Sequence, residues 1–480
     1  MSESDLKHRT KVGVYWTFLN QGATQVMQFA VGIVMARLLS PSDYGITALP
    51  AVFMAIAASL MDCGISVALI RKPEVTQKDL STSFYYGIIV GVVCYLIMFI
   101  AAPYIAAFYA TPVLTPLIRV TCLTFLWGPL LTPQNVILNR RLDFKTQTRI
   151  SIINKAISAI IGIAVAYAGY GLWALVVSGL SASLLGVLQT WWAVKWLPSE
   201  KWDKDSFKYL WNFGNKMLGA NLIDIIYNNI TPIFVGKYYS TKDLGIYNRA
   251  LGYSVLPANQ ITSILTHVTL PVLSKFQDNE EYLVQQFRRI FRVASFISFP
   301  ALMLLCALAY PLVVILITDK WVDCVILLQI MCFAKMWWPI QTLNRNLLQV
   351  KGRSDLLLKM EAYKKGINFV ILCCSLPFGI KIFCYAQILQ TMQAFVWNTY
   401  YTGKYFNLTT KKQLSDVMPS FILSIIMLGC ILGVNRFVEN LFLQVIVGLC
   451  VGTTVYIGGA LLLKREEMND VLYMIKIKKS

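Results

Sequence analysis

Five basic side chains fall inside stretches otherwise apolar enough to cross a bilayer: Arg119, Lys155, Lys216, Lys335 and Arg345. The acids at comparable depth are Asp62 and Asp224. A charge in hydrocarbon costs at least about 2.5 kcal/mol, so such residues normally face a bundle interior or a water-filled path. Five cations against two anions therefore point to a wet cavity suited to an anion. The competing reading is snorkelling. Lys155, Lys216 and Arg345 lie nearer the cytoplasmic ends of their stretches and Arg119 nearer the outer end, within reach of headgroups. Lys335, thirteen residues into its stretch, has the longest way to go.

Two of the stretches also carry amides. Asn20, Thr24 and Gln28 follow at i, i+4 and i+8, and Gln21 and Gln25 broaden the same side. Asn221, Asp224 and Asn228 follow at i, i+3 and i+7. Unpaired amides cost kilocalories in lipid, so each stripe faces either water or a neighbouring helix. Because both copies are marked, cavity lining is the stronger reading. Asp224 is the best-placed group for a coupling ion or proton, with Lys216 or an arginine as its alternative partner. Soluble-enzyme chemistry finds no foothold. His8 lies in the tail and His267 stands alone, and there is no Gly-rich phosphate loop, HExxH or nucleophile elbow. The eleven cysteines lie in apolar runs and read as small hydrophobes, not as disulfides or metal ligands.

The elements that must position these residues are long apolar helices. The 480-residue chain is 57% hydrophobic and only 14% charged, with a mean hydropathy of +0.59. That is a polytopic membrane protein, since soluble domains are about 25% charged. Fourteen spans of about 20 residues can be laid out, at 12–38, 44–69, 83–108, 113–138, 150–168, 172–196, 207–236, 246–271, 291–317, 322–349, 360–378, 382–403, 416–435 and 440–463. With the N-terminus inside, 31 of the 43 Lys and Arg fall in cytoplasmic segments, among them Arg140, Lys351, Lys364 and Lys365. Seven fall outside, and the remaining five are the intramembrane cations. The net charge of +19 thus belongs to one membrane face and not to nucleic acid. Both termini are predicted to be cytoplasmic, and the first span is predicted to stay uncleaved.

The chain repeats itself. Ala36, Arg37, Ser40, Asp43, Gly45 and Ile46 are answered in register by Gly236, Lys237, Ser240, Asp243, Gly245 and Ile246. Cys122, Trp127 and Pro129 reappear as Cys332, Trp337 and Pro339, and Gly169 matches Gly379. The fold class follows: an all-α integral membrane protein with two pseudo-symmetric six-helix lobes plus two C-terminal helices. The expected domains are 1–200, 201–405 and 406–480. Ser40 and Ser240 are predicted N-caps, with Asp43 and Asp243 closing capping boxes. Residues 275–292 and 201–211 read as interfacial amphipathic helices.

The run Ala36-Arg37-Leu38-Leu39-Ser40-Pro41-Ser42-Asp43-Tyr44-Gly45, behind a first helix with Asn20 and Gln28, resembles bacterial polysaccharide flippases. Asn139-Arg140-Arg141-Leu142-Asp143-Phe144 and Gly169-Tyr170-Gly171-Leu172-Trp173-Ala174 are similar to the same family, a branch of the multidrug/oligosaccharidyl-lipid/polysaccharide (MOP) exporter superfamily. The resemblance implies a bacterial inner-membrane transporter, not an enzyme, that moves undecaprenyl-diphosphate-linked oligosaccharide between leaflets by alternating access. It implies no cofactor, with H+ or Na+ as the ion to be coupled. The implied partners are the lipid-linked oligosaccharide, membrane lipids, and polysaccharide polymerase and chain-length proteins. A drug or cation antiporter of the same superfamily is the first alternative, although it would want more acids. A membrane sugar polymerase or ligase is the second, against which stand outer connections of about ten residues or fewer.

Overall fold

The computed structural model describes residues 3–276, 279–463 and 467–468. The side chains of Lys7, His8, Arg9, Lys11 and His267, and the tail cations Lys464, Arg465, Lys476, Lys478 and Lys479, lie outside the described residues. Among the described residues there is no strand. In chain order the helices are α1 (Glu3–Leu38), α2 (Pro41–Ala48), α3 (Ala51–Asp62), α4 (Ile65–Arg71), α5 (Gln77–Phe108), α6 (Leu114–Thr121), α7 (Thr124–Trp127), α8 (Leu131–Arg140), α9 (Phe144–Tyr167) and α10 (Trp173–Val194). They continue with α11 (Lys204–Tyr238), α12 (Thr241–Ser274), α13 (Glu280–Ala307), α14 (Ala309–Ile317), α15 (Asp323–Lys335), α16 (Trp338–Val350), α17 (Ser354–Ser375), α18 (Ile380–Phe406), α19 (Thr410–Asn435) and α20 (Leu441–Leu462). Nine stretches among the described residues are long and apolar enough to cross a membrane. The protein is an all-helical, multi-pass membrane protein.

The chain forms two compact units, Met1–Gly245 and Ile246–Ser480. In the first, α1 lies along α9, where Thr148 Oγ1 donates to the Trp16 carbonyl at 3.1 Å. α9 pairs with α10 through Ser178 Oγ to the Ser158 carbonyl at 3.0 Å and Asn154 Nδ2 to the Ala182 carbonyl at 2.7 Å. Arg140, on α8, is not a free loop cation: its guanidinium donates to the carbonyls of Leu69, Ile70, Lys72 and Pro73. A cation there satisfies the orphan acceptors at the end of α4 and opposes its negative pole.

Several spans that read as continuous are broken. Span 2 comprises α2, α3 and α4, and the α3–α4 break carries left-handed φ values of 44° at Cys63 and 66° at Gly64. There α11 crosses so closely that a Cβ on Gly214 would overlap the Cys63 carbonyl. Asp62, weighed above as an intramembrane acid, accepts the Gly64 N–H at 3.2 Å and the Ser66 hydroxyl, so it holds this break together. Spans 4 and 10 break at the duplicated Trp-x-Pro, before Pro129 and Pro339, because proline has no N–H to give the preceding turn. Trp127 Nε1 donates to Ser183 Oγ at 2.9 Å, while Trp337 packs among Phe299, Phe395 and Phe421.

The two interfacial helices expected at 201–211 and 275–292 are corrected. From Lys204 onward the first is simply the opening of α11, capped by Asp203, whose carboxylate accepts the Ser206 N–H at 2.8 Å. That same amide holds the Asp203 carboxyl below its usual pKa range, so this cap weakens only as the solution becomes acid. From Glu280 the second is the opening of α13, with Leu283, Phe287 and Phe291 fully buried; residues 277 and 278 lie outside the described residues. In the second unit α13 packs against α19, locked by Arg288 donating to Asp416 through two hydrogen bonds of 2.8 and 2.7 Å. Gly448 and Gly452 let α20 settle onto Ile431 of α19 and onto Leu304 and Leu308.

Both predicted capping boxes are present. Ser40 Oγ accepts the Asp43 N–H at 3.3 Å while Asp43 Oδ2 accepts the Ser40 N–H at 2.9 Å, and the corresponding distances at Ser240 and Asp243 are 3.1 and 3.2 Å. Their glycines have a further job. A Cβ on Gly45 would overlap the Thr241 carbonyl, and one on Gly245 would overlap the Pro41 carbonyl. The two copies of the motif therefore cross backbone to backbone, reciprocally. Gly45→Val and Gly245→Val should each lower stability by about 1–3 kcal/mol through overpacking, read as a fall in the melting temperature of purified protein. An unchanged melting temperature in both would deny the crossing.

Candidate functional site

In the first unit the buried face of α11 runs through Leu210, Gly214, Met217 and Leu218 toward α3, α4 and their surrounding core. Lys216, Asp224 and Asn228 are exposed, and Asn221 is half-buried. Lys216 and Asp224 are eight residues apart, about 12 Å along the axis, beyond ion-pair reach. On α1, Thr24 Oγ1 donates to Asn20 Oδ1 at 3.2 Å; Gln25 is half-buried, and Gln21 and Gln28 are exposed. Lys155, half-buried on α9, lies seven residues beyond Thr148 and so on the same face, the one that meets α1.

Arg119 sits elsewhere. Its Nε donates to the Phe99 carbonyl at 3.4 Å and its guanidinium lies over the Phe99 ring, 4.1 Å from the centroid, on the C-terminal half of α5. Lys335 is the last residue of α15, at the break before α16, with Nζ 5.3 Å from the Trp338 ring centroid. A cation at that position meets the negative end of a helix and an aromatic face together.

Arg345 belongs to a cluster. Its Nη2 donates to Thr342 Oγ1 at 3.0 Å, and its Nη1 stands 3.8 Å from Glu361 on α17. Lys364, one turn further along α17, donates to the same Glu361 oxygen at 2.6 Å and to Asn398 Oδ1 on α18 at 3.0 Å. The Lys364 side chain is 7% exposed, against 35% for Glu361 and 38% for Arg345. Two cations from adjacent helices therefore share one carboxylate. Asn398 extends the network inward, its carbonyl accepting from Thr402, whose hydroxyl also bonds Asn344 Oδ1 at 3.0 Å and Gln413 at 2.8 Å.

Comparison with known proteins fits this architecture. Residues 34–326 match the model of the family described as polysaccharide biosynthesis protein. The chain belongs to that family. It is 26% identical over 348 residues to the teichuronic acid biosynthesis protein TuaB of Bacillus subtilis (strain 168), an alignment covering 72% of each chain. Its fold is that of the lipid II flippase MurJ in the inward closed conformation, with a TM-score of 0.73 at 13% identity over 95% of this chain and 99% of that one. It also superposes on an inward-facing multidrug resistance MATE family transporter of the MOP superfamily, with a TM-score of 0.56 at 14% identity over 79% of this chain and 95% of that one.

For this family member the sequence reading missed Glu361 and Lys364. Lys364 was counted with a cytoplasmic connection, yet it lies ten residues inside α17 and is buried. The available signal was Glu361-x-x-Lys364, an i,i+3 pair at the mouth of an apolar run. Lys364→Met should lower the melting temperature by leaving Glu361 and Asn398 short of a donor. Lys364→Met with Glu361→Gln should recover part of the loss, with a coupling energy of about 0.5–3 kcal/mol. Strict additivity would mean that the pair does not interact.

Proposed function

We propose that this protein is a flippase that carries an undecaprenyl-diphosphate-linked oligosaccharide repeat unit from the cytoplasmic to the periplasmic leaflet of a bacterial inner membrane. The reading adds α1, α11, α12, α17 and α18 to the nine apolar stretches, for fourteen spans in two six-helix lobes plus a C-terminal pair, with both termini inside. The observation that carries it is the cationic excess at membrane depth, with Arg345 and Lys364 served by the single carboxylate of Glu361. A diphosphate is the complement of such a site, and charge-assisted hydrogen bonds in a partly dehydrated setting are strong. The family and the MurJ-like fold support the same cargo class. The antiporter alternative loses ground because Asp62, one of the two acids the sequence offered it, is engaged at a helix break.

Alternating access would move the headgroup past the polar faces of α1 and α11 while H+ or Na+ at Asp224 supplies the drive. A polymerase and chain-length proteins would take the product. The test is complementation of a strain lacking this gene, scored for surface polysaccharide and for lipid-linked repeat units retained in the membrane. Lys364→Gln and Asp224→Asn, each at normal membrane level, should cut surface polysaccharide at least tenfold while lipid-linked units accumulate. Full surface polysaccharide in the gene-deleted strain itself would refute the reading.

A further inference from the structure

Glu361 does two jobs that pull apart. It is the tight partner of Lys364 at 2.6 Å, but it holds Arg345 only at 3.8 Å, without a hydrogen bond. Of the five donors on the Arg345 guanidinium, one hydrogen bond goes to Thr342. On the far side of Lys364, Asn398 is 1% exposed, and its Nδ2 has no hydrogen-bond partner. The cluster thus contains more donors than its one carboxylate can satisfy. Arg345 and Glu361 are open enough to be reached. Lys364 lies about 15 Å into α17 from the end that the charge pattern assigns to the cytoplasm.

We propose that Glu361 is a built-in substitute for a ligand oxyanion: a carboxylate or phosphate group displaces it from Lys364 and Arg345 and takes their charge-assisted hydrogen bonds. This rests on the flippase reading for its cargo and deepens it, by naming where an acidic group of that cargo docks. An empty site closed by its own carboxylate spares the protein an uncompensated buried ammonium at Lys364 and an unpaired guanidinium at the rim. An incoming anion then exchanges one pairing for another, so neither the loaded nor the empty site carries the full desolvation penalty. The ligand chemistry is an oxyanion with at least two acceptor atoms, which suits the bidentate geometry of arginine. An acidic sugar, the diphosphate linker and an anionic lipid headgroup all present it.

The full-length protein, purified in dodecyl maltoside, is titrated with sodium pyrophosphate and separately with sodium glucuronate at constant ionic strength. Stabilisation is read as the ligand concentration giving half of the maximal shift in melting temperature. Wild-type protein should show saturable stabilisation by at least one of the two. Glu361→Gln, which removes the internal competitor and keeps the shape, should lower the half-maximal concentration about tenfold or more. Arg345→Gln should raise it about tenfold, and Arg345→Lys should recover part of that loss. Arg345 sits at the exposed rim, so its variants carry the test if Glu361→Gln does not fold. A half-maximal concentration unmoved by Arg345→Gln, or raised by Glu361→Gln, would overturn the proposal and leave a structural ion pair only.

The sources separate by ligand. Preference for pyrophosphate assigns the linker, and preference for glucuronate assigns an acidic sugar. Competition by phosphatidylglycerol in phosphatidylcholine nanodiscs assigns a lipid headgroup. Anion binding that follows these variants in a protein whose gene proves dispensable for surface polysaccharide would sink the flippase reading while leaving the site. Wild-type anion binding in all of the variants, with the gene still required, would do the reverse.

Discussion

Inside hydrocarbon, and at the packed junctions where helices break or begin, charges and freed backbone groups are answered by other protein groups. This constraint organises both units. Where α3 gives way to α4, the Asp62 carboxylate and the left-handed Cys63 and Gly64 take up the freed backbone, and Gly214 lets α11 close over the gap. At the end of α4, Arg140 answers four carbonyls with one guanidinium. At the opening of α13, Arg288 and Asp416 answer each other. In each case the ionised group is spent on the scaffold, and none of it is left over for cargo.

The Arg345–Glu361–Lys364 cluster differs in kind. It stands at no chain break, and its charges do not cancel. Its members come from α16 and α17, with Asn398 from α18 completing the surroundings of Lys364. A purely structural triad would be expected to neutralise itself, given what an unmatched buried charge costs. An uncancelled positive charge that is one-third open is what a site for an exchangeable anion requires.

Much of the scaffold was legible because its devices are local. Both Ser-x-x-Asp capping boxes depend on residues three apart, whereas the repeated Trp-x-Pro was legible as a repeat and not as the break it makes in spans 4 and 10. The reciprocal contact of Gly45 and Gly245 was visible only as a repeated glycine, since nothing in the sequence says that positions two hundred residues apart touch. The site was harder still. Arg345, Glu361, Lys364 and Asn398 come together only when three helices pack, and an amphipathic helix mouth reads in sequence like a basic loop. For the same reason 201–211 and 275–292 looked like separate surface helices. Their apolar stripes are those of surface helices, but they continue unbroken into α11 and α13.

The proposed function requires that the exposed polar faces of α1 and α11 in the first unit, and separately the Arg345–Glu361–Lys364 cluster in the second, be open to water and to an anion. Single cysteines at Gln28, Asn228 and Glu361, introduced after replacing the eleven native cysteines, test it in sealed membranes by their rates of reaction with small charged methanethiosulfonates. The account predicts reaction at all three positions, with the anionic sulfonatoethyl reagent faster than the cationic trimethylammonium one relative to their rates with free thiol. Protection of all three positions from both water-soluble reagents, or a preference for the cationic one, would contradict it.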